Sequence, residues 1–186
     1  HYGHKKYNIV SQSSPTGTQY LQAVGTGFAL KRQGYGNVVY VSSGDGTTSQ
    51  GDFHEALNWA SREKAPVIFH IENNHYAISV PISEQVSSGE LYSITSGYEN
   101  LGRYNINGCD FFESHLAFKK AIDRARKGKG PSVIVSDDVR LLPHSSSDDH
   151  RKYRQEKQLE IDRKRDPINL FKEICIKNKI IKETDF

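Results

Sequence analysis

The chain has 186 residues, 35% of them hydrophobic, with 25 Lys and Arg against 22 Asp and Glu for a formal charge of +3. That length suits one α/β domain with a real core, and no apolar run approaches a membrane span. Two cysteines, Cys109 and Cys175, exclude a disulfide scaffold and point to a reducing compartment.

No methionine occurs, and the chain starts at His1, so it reads as an internal or processed segment of a longer polypeptide. No signal peptide opens it. The basic excess sits in residues 151–186, where 11 Lys and Arg face 7 Asp and Glu. These charges are interspersed, which fits a solvated helix face and not a nucleic-acid surface.

His1 and His4 are spaced i, i+3, but no further His or Cys follows at metal-ligand spacing, so a loop end is expected. Ser13-Ser14-Pro15-Thr16-Gly17-Thr18-Gln19 reads as a turn, with Thr18 or Thr16 capping a helix. Its hydroxyls suit a monovalent cation or a phosphate, though a capped turn is the ordinary reading. Leu21, Val24, Gly25, Phe28 and Ala29 give the helix a buried stripe, closed by Gly34. Ala23, Gly25 and Gly27 make it small-faced, so another backbone can pack closely against it.

Asn37 to Ser42 is an apolar strand entering Gly44-Asp45-Gly46-Thr47. Glycine on both sides of Asp45 allows a sharp turn and close ligand approach. A helix follows from about Gly51 to Lys64, with Phe53, Ala56, Leu57 and Ala60 on its apolar face. Val67 to Ile71 is a strand whose continuous apolar character suits a parallel sheet covered on both faces. With a right-handed crossover, Asp45 and Asn74 open on the same sheet edge, where open α/β sheets bind ligands. A carboxylate and an amide oxygen are hard ligands that suit Mg²⁺ bridging a diphosphate.

Residues 79–103 read as irregular with one short helix, and Tyr104 to Gly108 as a short strand and turn. Phe111, His115, Phe118, Ile122 and Ala125 mark a helix stripe, and Ser132 to Ser136 a further strand. A polar loop, Ser145 to His150, follows Arg140 and His144. It reads as solvent-exposed; a metal site at His144, Asp148, Asp149 and His150 is the less ordinary reading. Asp166 caps a last helix with Leu170, Ile174 and Ile181 on its buried side.

Taken together, Gly44-Asp45-Gly46, Asn73-Asn74, Tyr76-Ala77-Ile78-Ser79 and His144 to Asp149 with Tyr153-Arg154 resemble one family. It is the alpha subunit of the thiamine diphosphate-dependent decarboxylating component of 2-oxo acid dehydrogenase complexes. The loop spacing looks most like branched-chain (2-oxoisovalerate) members, with pyruvate and acetoin members the alternatives. Some branched-chain members have Arg where this chain has Glu72, and Glu is common there in pyruvate-type members.

The resemblance implies a three-layer αβα thiamine diphosphate-binding fold with a mostly parallel sheet, truncated at both ends. Residues 1–150 would form the cofactor-binding α/β domain, and 151–186 a charged helical segment of the same domain. It implies Mg²⁺ at Asp45, Asn74 and the Tyr76 carbonyl, and a K⁺ loop at Ser13, Pro15, Thr18 and Gln19. It places Ser14, Thr16, Gly44, Gly46, Thr47, Ile78 and His144 at the cofactor, with His144 and Arg140 catalytic.

The implied activity is oxidative decarboxylation of a 2-oxo acid with acyl transfer to a lipoyl group. The implied partners are a beta subunit, which supplies the carboxylate activating the cofactor, in a heterotetramer, and a lipoyl-bearing acyltransferase. No nucleic acid or membrane is implied. The location would be cytoplasmic, or the mitochondrial matrix in a eukaryote. Animal relatives are phosphorylated at the Ser matching Ser145. Two other readings are a non-catalytic assembly module that self-associates through the small-faced helix, and a transketolase-like half.

Overall fold

The apolar clusters of the sequence become adjacent strands in the computed structural model, which describes residues 3–185. The main sheet holds β1 (Val39–Gly44), β2 (Val67–Asn73), β5 (Gly102–Asn107) and β6 (Ser132–Asp137), with a two-stranded hairpin of β3 (Tyr76–Ala77) and β4 (Val80–Pro81) beside it. The helices are α1 (Gln19–Gln33), α2 (Gly51–Glu63), α3 (Ile82–Gln85), α4 (Phe111–Arg126), α5 (Glu156–Lys164) and α6 (Pro167–Lys177). Strand order is β1-β2-β6-β5, and every pair in the main sheet is parallel.

Side-chain alternation decides what each sheet face touches. Val67, Phe69 and Ile71 join Val41, Val133 and Val135 against Tyr20 and Val24 of α1 and Phe53 and Leu57 of α2. The intervening Ile68 and Ile134 face the other way, with Ile106, beneath Ala117 and Ala121 of α4. Helices on both faces explain why the central strands lack a polar alternation.

Parallel pairing aligns the strand ends as well. Gly44 lies opposite Glu72, while Asn73 and Asn107 both lie opposite Asp137. The loops after β1, β2, β5 and β6 therefore leave from one edge.

Several expectations shift in register. β1 runs on to Gly44 and β2 to Asn73, because the ladder continues past their apolar residues. In α1 the buried line is Tyr20, Ala23, Val24 and Gly27, while Gly25 has open space around it. A Cβ on Gly27 would stand 2.7 Å from Val67 Cγ2, so the small-residue side is taken up by the sheet. Thr18 sits at the start of α1 but makes no capping hydrogen bond, because its hydroxyl is engaged by the preceding turn.

The buried line of α4 is Ala117, Ala121 and Ala125, and small residues there let the helix lie close to the sheet. Phe111 instead packs at a tilt against Phe171 of α6, with ring centroids 4.6 Å apart. Asp166 caps α6 through Ile168 N–H at 2.9 Å, as expected, but the helix stops at Lys177 and leaves Ile181 outside it. Cys109 and Cys175 are free and buried. His4 pairs with Ile9 in an isolated bridge, and His1 lies outside the described residues. Among the described residues no helix is long and apolar enough to cross a membrane.

Phe69 is fully buried at the centre of the larger core cluster. Phe69→Ala is expected to lower unfolding stability by about 3–5 kcal/mol, read by denaturant titration.

Candidate functional site

The edge where β1 and β2 end gathers the glycine-flanked acid and the Asn pair. After β1 the chain winds into a short 3₁₀ turn, Asp45–Ser49, before α2. Asp45 is 1% exposed. Gln85 of α3 donates to its Oδ2 at 3.1 Å, and Thr48 Oγ1 donates to its carbonyl at 2.7 Å. Oδ1 is buried with no hydrogen-bond partner among the described residues. A buried carboxylate oxygen without a donor is costly, so the arrangement suits a cation that completes it.

The loop after β2 packs directly on this turn. A Cβ on Gly46 would lie 2.6 Å from Ala77 Cβ and 3.2 Å from Ala77 Cα, so only glycine permits the approach. Asn73 Oδ1 accepts from His75 N–H at 3.1 Å, and Asn74 Oδ1 accepts from Tyr76 N–H at 3.3 Å. His75 and Ile78 both adopt left-handed backbone, at φ 67° and 58°. For a β-branched residue such as Ile78 that is a strained conformation, of a kind that clusters at ligand sites.

Arg140 holds the far side of this loop. Its Nη2 donates to Ile78 O at 2.9 Å and to Tyr153 Oη at 2.7 Å, while Nε and Nη1 are buried without hydrogen-bond partners among the described residues. Tyr153 in turn donates to Asp148 Oδ2 at 2.6 Å, and His144 N–H donates to the same oxygen at 2.9 Å. Tyr153, first among the causes, and the His144 N–H hold the Asp148 carboxyl below the usual carboxylate range. Arg154 donates to Arg140 O at 2.9 Å and forms a buried ion pair with Asp162 of α5. The guanidinium groups of Arg140 and Arg154 lie 5.8 and 5.3 Å from the Tyr76 ring centroid.

The structure thus gathers Gly44, Asp45, Gly46, Thr47, Asn74, Tyr76, Ile78 and Arg140 around one edge. His144 sits in an exposed loop, its N–H bonded to Asp148. The turn before α1 draws the Ser13 and Thr18 hydroxyls together, with Thr18 also donating to Pro15 O at 3.0 Å. Gln19 Oε1 accepts from Gly17 N–H at 3.1 Å. Ser14 and Thr16 are exposed on the same turn. It reaches the Asp45 segment through Gly17, whose Cβ would stand 2.9 Å from Gln50 Cβ. Asp149 is engaged by Arg151 at 2.8 Å, so the Ser- and Asp-rich loop is braced by its own cations and by Tyr153.

Three interactions lay outside the sequence expectations. Gln85 was hidden in a stretch read as irregular. The Arg154–Asp162 pair and the cluster of His75, Asp137 and Arg165 join residues far apart in sequence. Nothing in local pattern announces such pairs.

Behind the edge, Ser136 Oγ donates to Asp138 Oδ2 at 2.6 Å. Burial, reinforced by Glu72 and Asp137 and opposed by the Ser136 bond, pushes the Asp138 carboxyl up to about 6. A Cβ on Gly108 would fall 1.8 Å from Asp138 Oδ1, so the Asn107-Gly108 turn makes room for this acid.

Gly46→Ala is expected to destabilise the fold by about 1–3 kcal/mol through overpacking, and Ala77→Gly in the same chain to recover most of that, both read by denaturant unfolding. Asp138 gives a pH signature. Its folded pKa is raised, so between about pH 4 and 6 the folded state keeps a proton that the unfolded state has lost. Stability falls as pH rises through that window, by roughly 2–3 kcal/mol for this group. Asp138→Asn is expected to remove the fall, measured by unfolding titrations at several pH values.

The Dehydrogenase E1 component family matches residues 1–185. The chain is 44% identical to the 2-oxoisovalerate dehydrogenase subunit alpha of Bacillus subtilis, over 90% of this chain and 51% of that protein. It is 39% identical to the pyruvate dehydrogenase E1 component subunit alpha of Staphylococcus aureus, over 92% of this chain and 46% of that protein. The chain thus spans about half the length of these relatives. A transketolase from Campylobacter jejuni superposes with a TM-score of 0.58 at 23% identity, over 67% of this chain and 20% of that one, which shows a shared fold. With a match that runs through the strands, the acid turn and the Asn loop alike, this chain belongs to the dehydrogenase E1 component family.

Proposed function

We propose that this chain is the cofactor-holding part of a thiamine diphosphate-dependent 2-oxo acid dehydrogenase alpha subunit, of the branched-chain type. The reading rests on the buried Oδ1 of Asp45 at the C-terminal end of β1, which has no hydrogen-bond partner among the described residues. Asp45, the Asn74 side chain and the Tyr76 carbonyl would hold Mg²⁺. That donor set is all oxygen, as Mg²⁺ prefers, with the remaining positions left to phosphate and water. When bound, thiamine diphosphate supplies the electron sink for decarboxylation of the 2-oxo acid.

This chain's own residues bind and orient. Gly44 and Gly46 let the backbone come close, and the N–H groups of Gly46 and Thr47 would bind the diphosphate. Ser14, the Thr16 carbonyl and Ile78 would help hold the rest of the cofactor. Arg140 lines the substrate side, braced by Tyr153. His144 would exchange a proton through its ring during acyl transfer. The oxygens of Ser13, Pro15, Thr18 and Gln19 would form a K⁺ loop. Residues 1–150 carry these loops, and 151–186 brace them through Arg154 and Arg165.

The whole protein would act on a 2-oxo acid, with a beta subunit completing the site and a lipoyl-bearing acyltransferase taking the product. The 44% identity to a 2-oxoisovalerate enzyme favours a branched-chain substrate. Glu72, with the 39% identity to a pyruvate enzyme, keeps pyruvate as the second reading.

The test is calorimetric titration of thiamine diphosphate with Mg²⁺ into the protein, with and without its partner subunit. Binding is expected to require Mg²⁺ and to vanish in Asp45→Ala. Unchanged binding in that variant, or none by the assembled wild type, contradicts the reading.

A further inference from the structure

The segment between Asn74 and Tyr76 is held from two directions. On one side Ala77 packs on Gly46, as described. On the other, His75 leaves its left-handed backbone and its ring Nε2 donates to Asp137 Oδ1 at 2.6 Å. Asp137 is the last residue of β6, in register with Asn73 on one neighbour and Asn107 on the other. Its second oxygen accepts from Arg165 Nη2 at 2.8 Å, just beyond the end of α5. Burial works against ionisation of Asp137, but the bonds from His75 and Arg165 and their charges outweigh it and keep the carboxyl ionised below the usual range. The His75 backbone is fixed as well, its N–H by Asn73 Oδ1 at 3.1 Å and its carbonyl by Ile82 N–H at 2.9 Å.

We propose that His75 and Asp137 are positioning residues for the cation site, their bond holding the Asn74–Tyr76 segment in the shape that turns its oxygens toward the metal. The proposal rests on the reading of Asp45, Asn74 and Tyr76 as Mg²⁺ ligands. The chemistry is that of an outer contact that orients an inner ligand. Neither residue touches the metal, yet a carboxylate anchored at the sheet edge and clamped by Arg165 gives the loop a rigid point. His75, Asp137 and Arg165 are all partly exposed, so the bond contributes little to folding as such. Its effect falls on the loop geometry. Outer contacts of this kind commonly change metal affinity by about 10–100-fold.

The test is Mg²⁺ titration by calorimetry at saturating thiamine diphosphate, on the assembled protein, with apo unfolding measured alongside. His75→Ala and Asp137→Ala are each expected to weaken Mg²⁺ binding by about tenfold. The double variant is expected to lose no more than Asp137→Ala alone, since that variant already removes the His75–Asp137 bond. His75→Gln, which keeps a side-chain N–H donor, is expected to recover part of the affinity. Mg²⁺ affinity unchanged in the single variants, with wild-type binding intact, overturns the positioning role and leaves the cofactor reading standing. An apo stability loss with unchanged affinity does the same. Absence of wild-type binding overturns both.

Discussion

A buried carboxylate with one oxygen unpaired among the described residues is the constraint around which this chain is arranged. Removing an ionised carboxylate from water costs several kcal/mol unless other groups replace the water. At Asp45 only half of that replacement is present, through Gln85. Everything nearby serves to keep the other oxygen in place. β1 delivers the acid to the sheet edge, Thr48 fastens its carbonyl, and the turn feeds α2, whose Phe53 and Leu57 anchor in the core. Parallel pairing then supplies the second loop, because strands in register finish together.

The two loops are coupled by shape more than by charge. Gly46 against Ala77 is a contact with no room for an added carbon, so the acid turn and the Asn loop pack directly on each other. Around them lies a shell of cations on carboxylates and carbonyls: Arg140 on Ile78, Arg154 on Arg140 and Asp162, Arg165 on Asp137. Arg154 and Asp162 are the deeply buried members. Breaking a pair of that kind leaves an uncompensated charge, and that is why the 151–186 segment matters to loops far from it in sequence.

Much of the fold was legible because it rests on periodicity. Val67 to Ile71 announced a strand covered on both faces, and Phe53, Ala56, Leu57 and Ala60 announced the buried side of α2. The misread helix face has one cause. In α4 the sequence draws the eye to Phe118 and Ile122, which are only partly buried, but the sheet selects Ala117 and Ala121, because close packing is decided by the partner surface. In α1 the small-faced side expected from Ala23 and Gly27 is the one the sheet takes. The site was legible in the same way and to the same limit. Asp45 between two glycines, and Asn73-Asn74 at a strand end, are local patterns. Gln85 reaching Asp45, and Asp137 reaching both His75 and Arg165, are products of topology with no local signature.

The proposed role of Asp45 Oδ1 is to bind a divalent cation shared with a diphosphate. The most direct measurement is a crystal structure with thiamine diphosphate and Mn²⁺ in place of Mg²⁺, the metal located by its anomalous scattering. The account predicts a peak bonded to Asp45 Oδ1, the Asn74 side-chain oxygen and the Tyr76 carbonyl. A diphosphate bound with its metal away from Asp45 would contradict it.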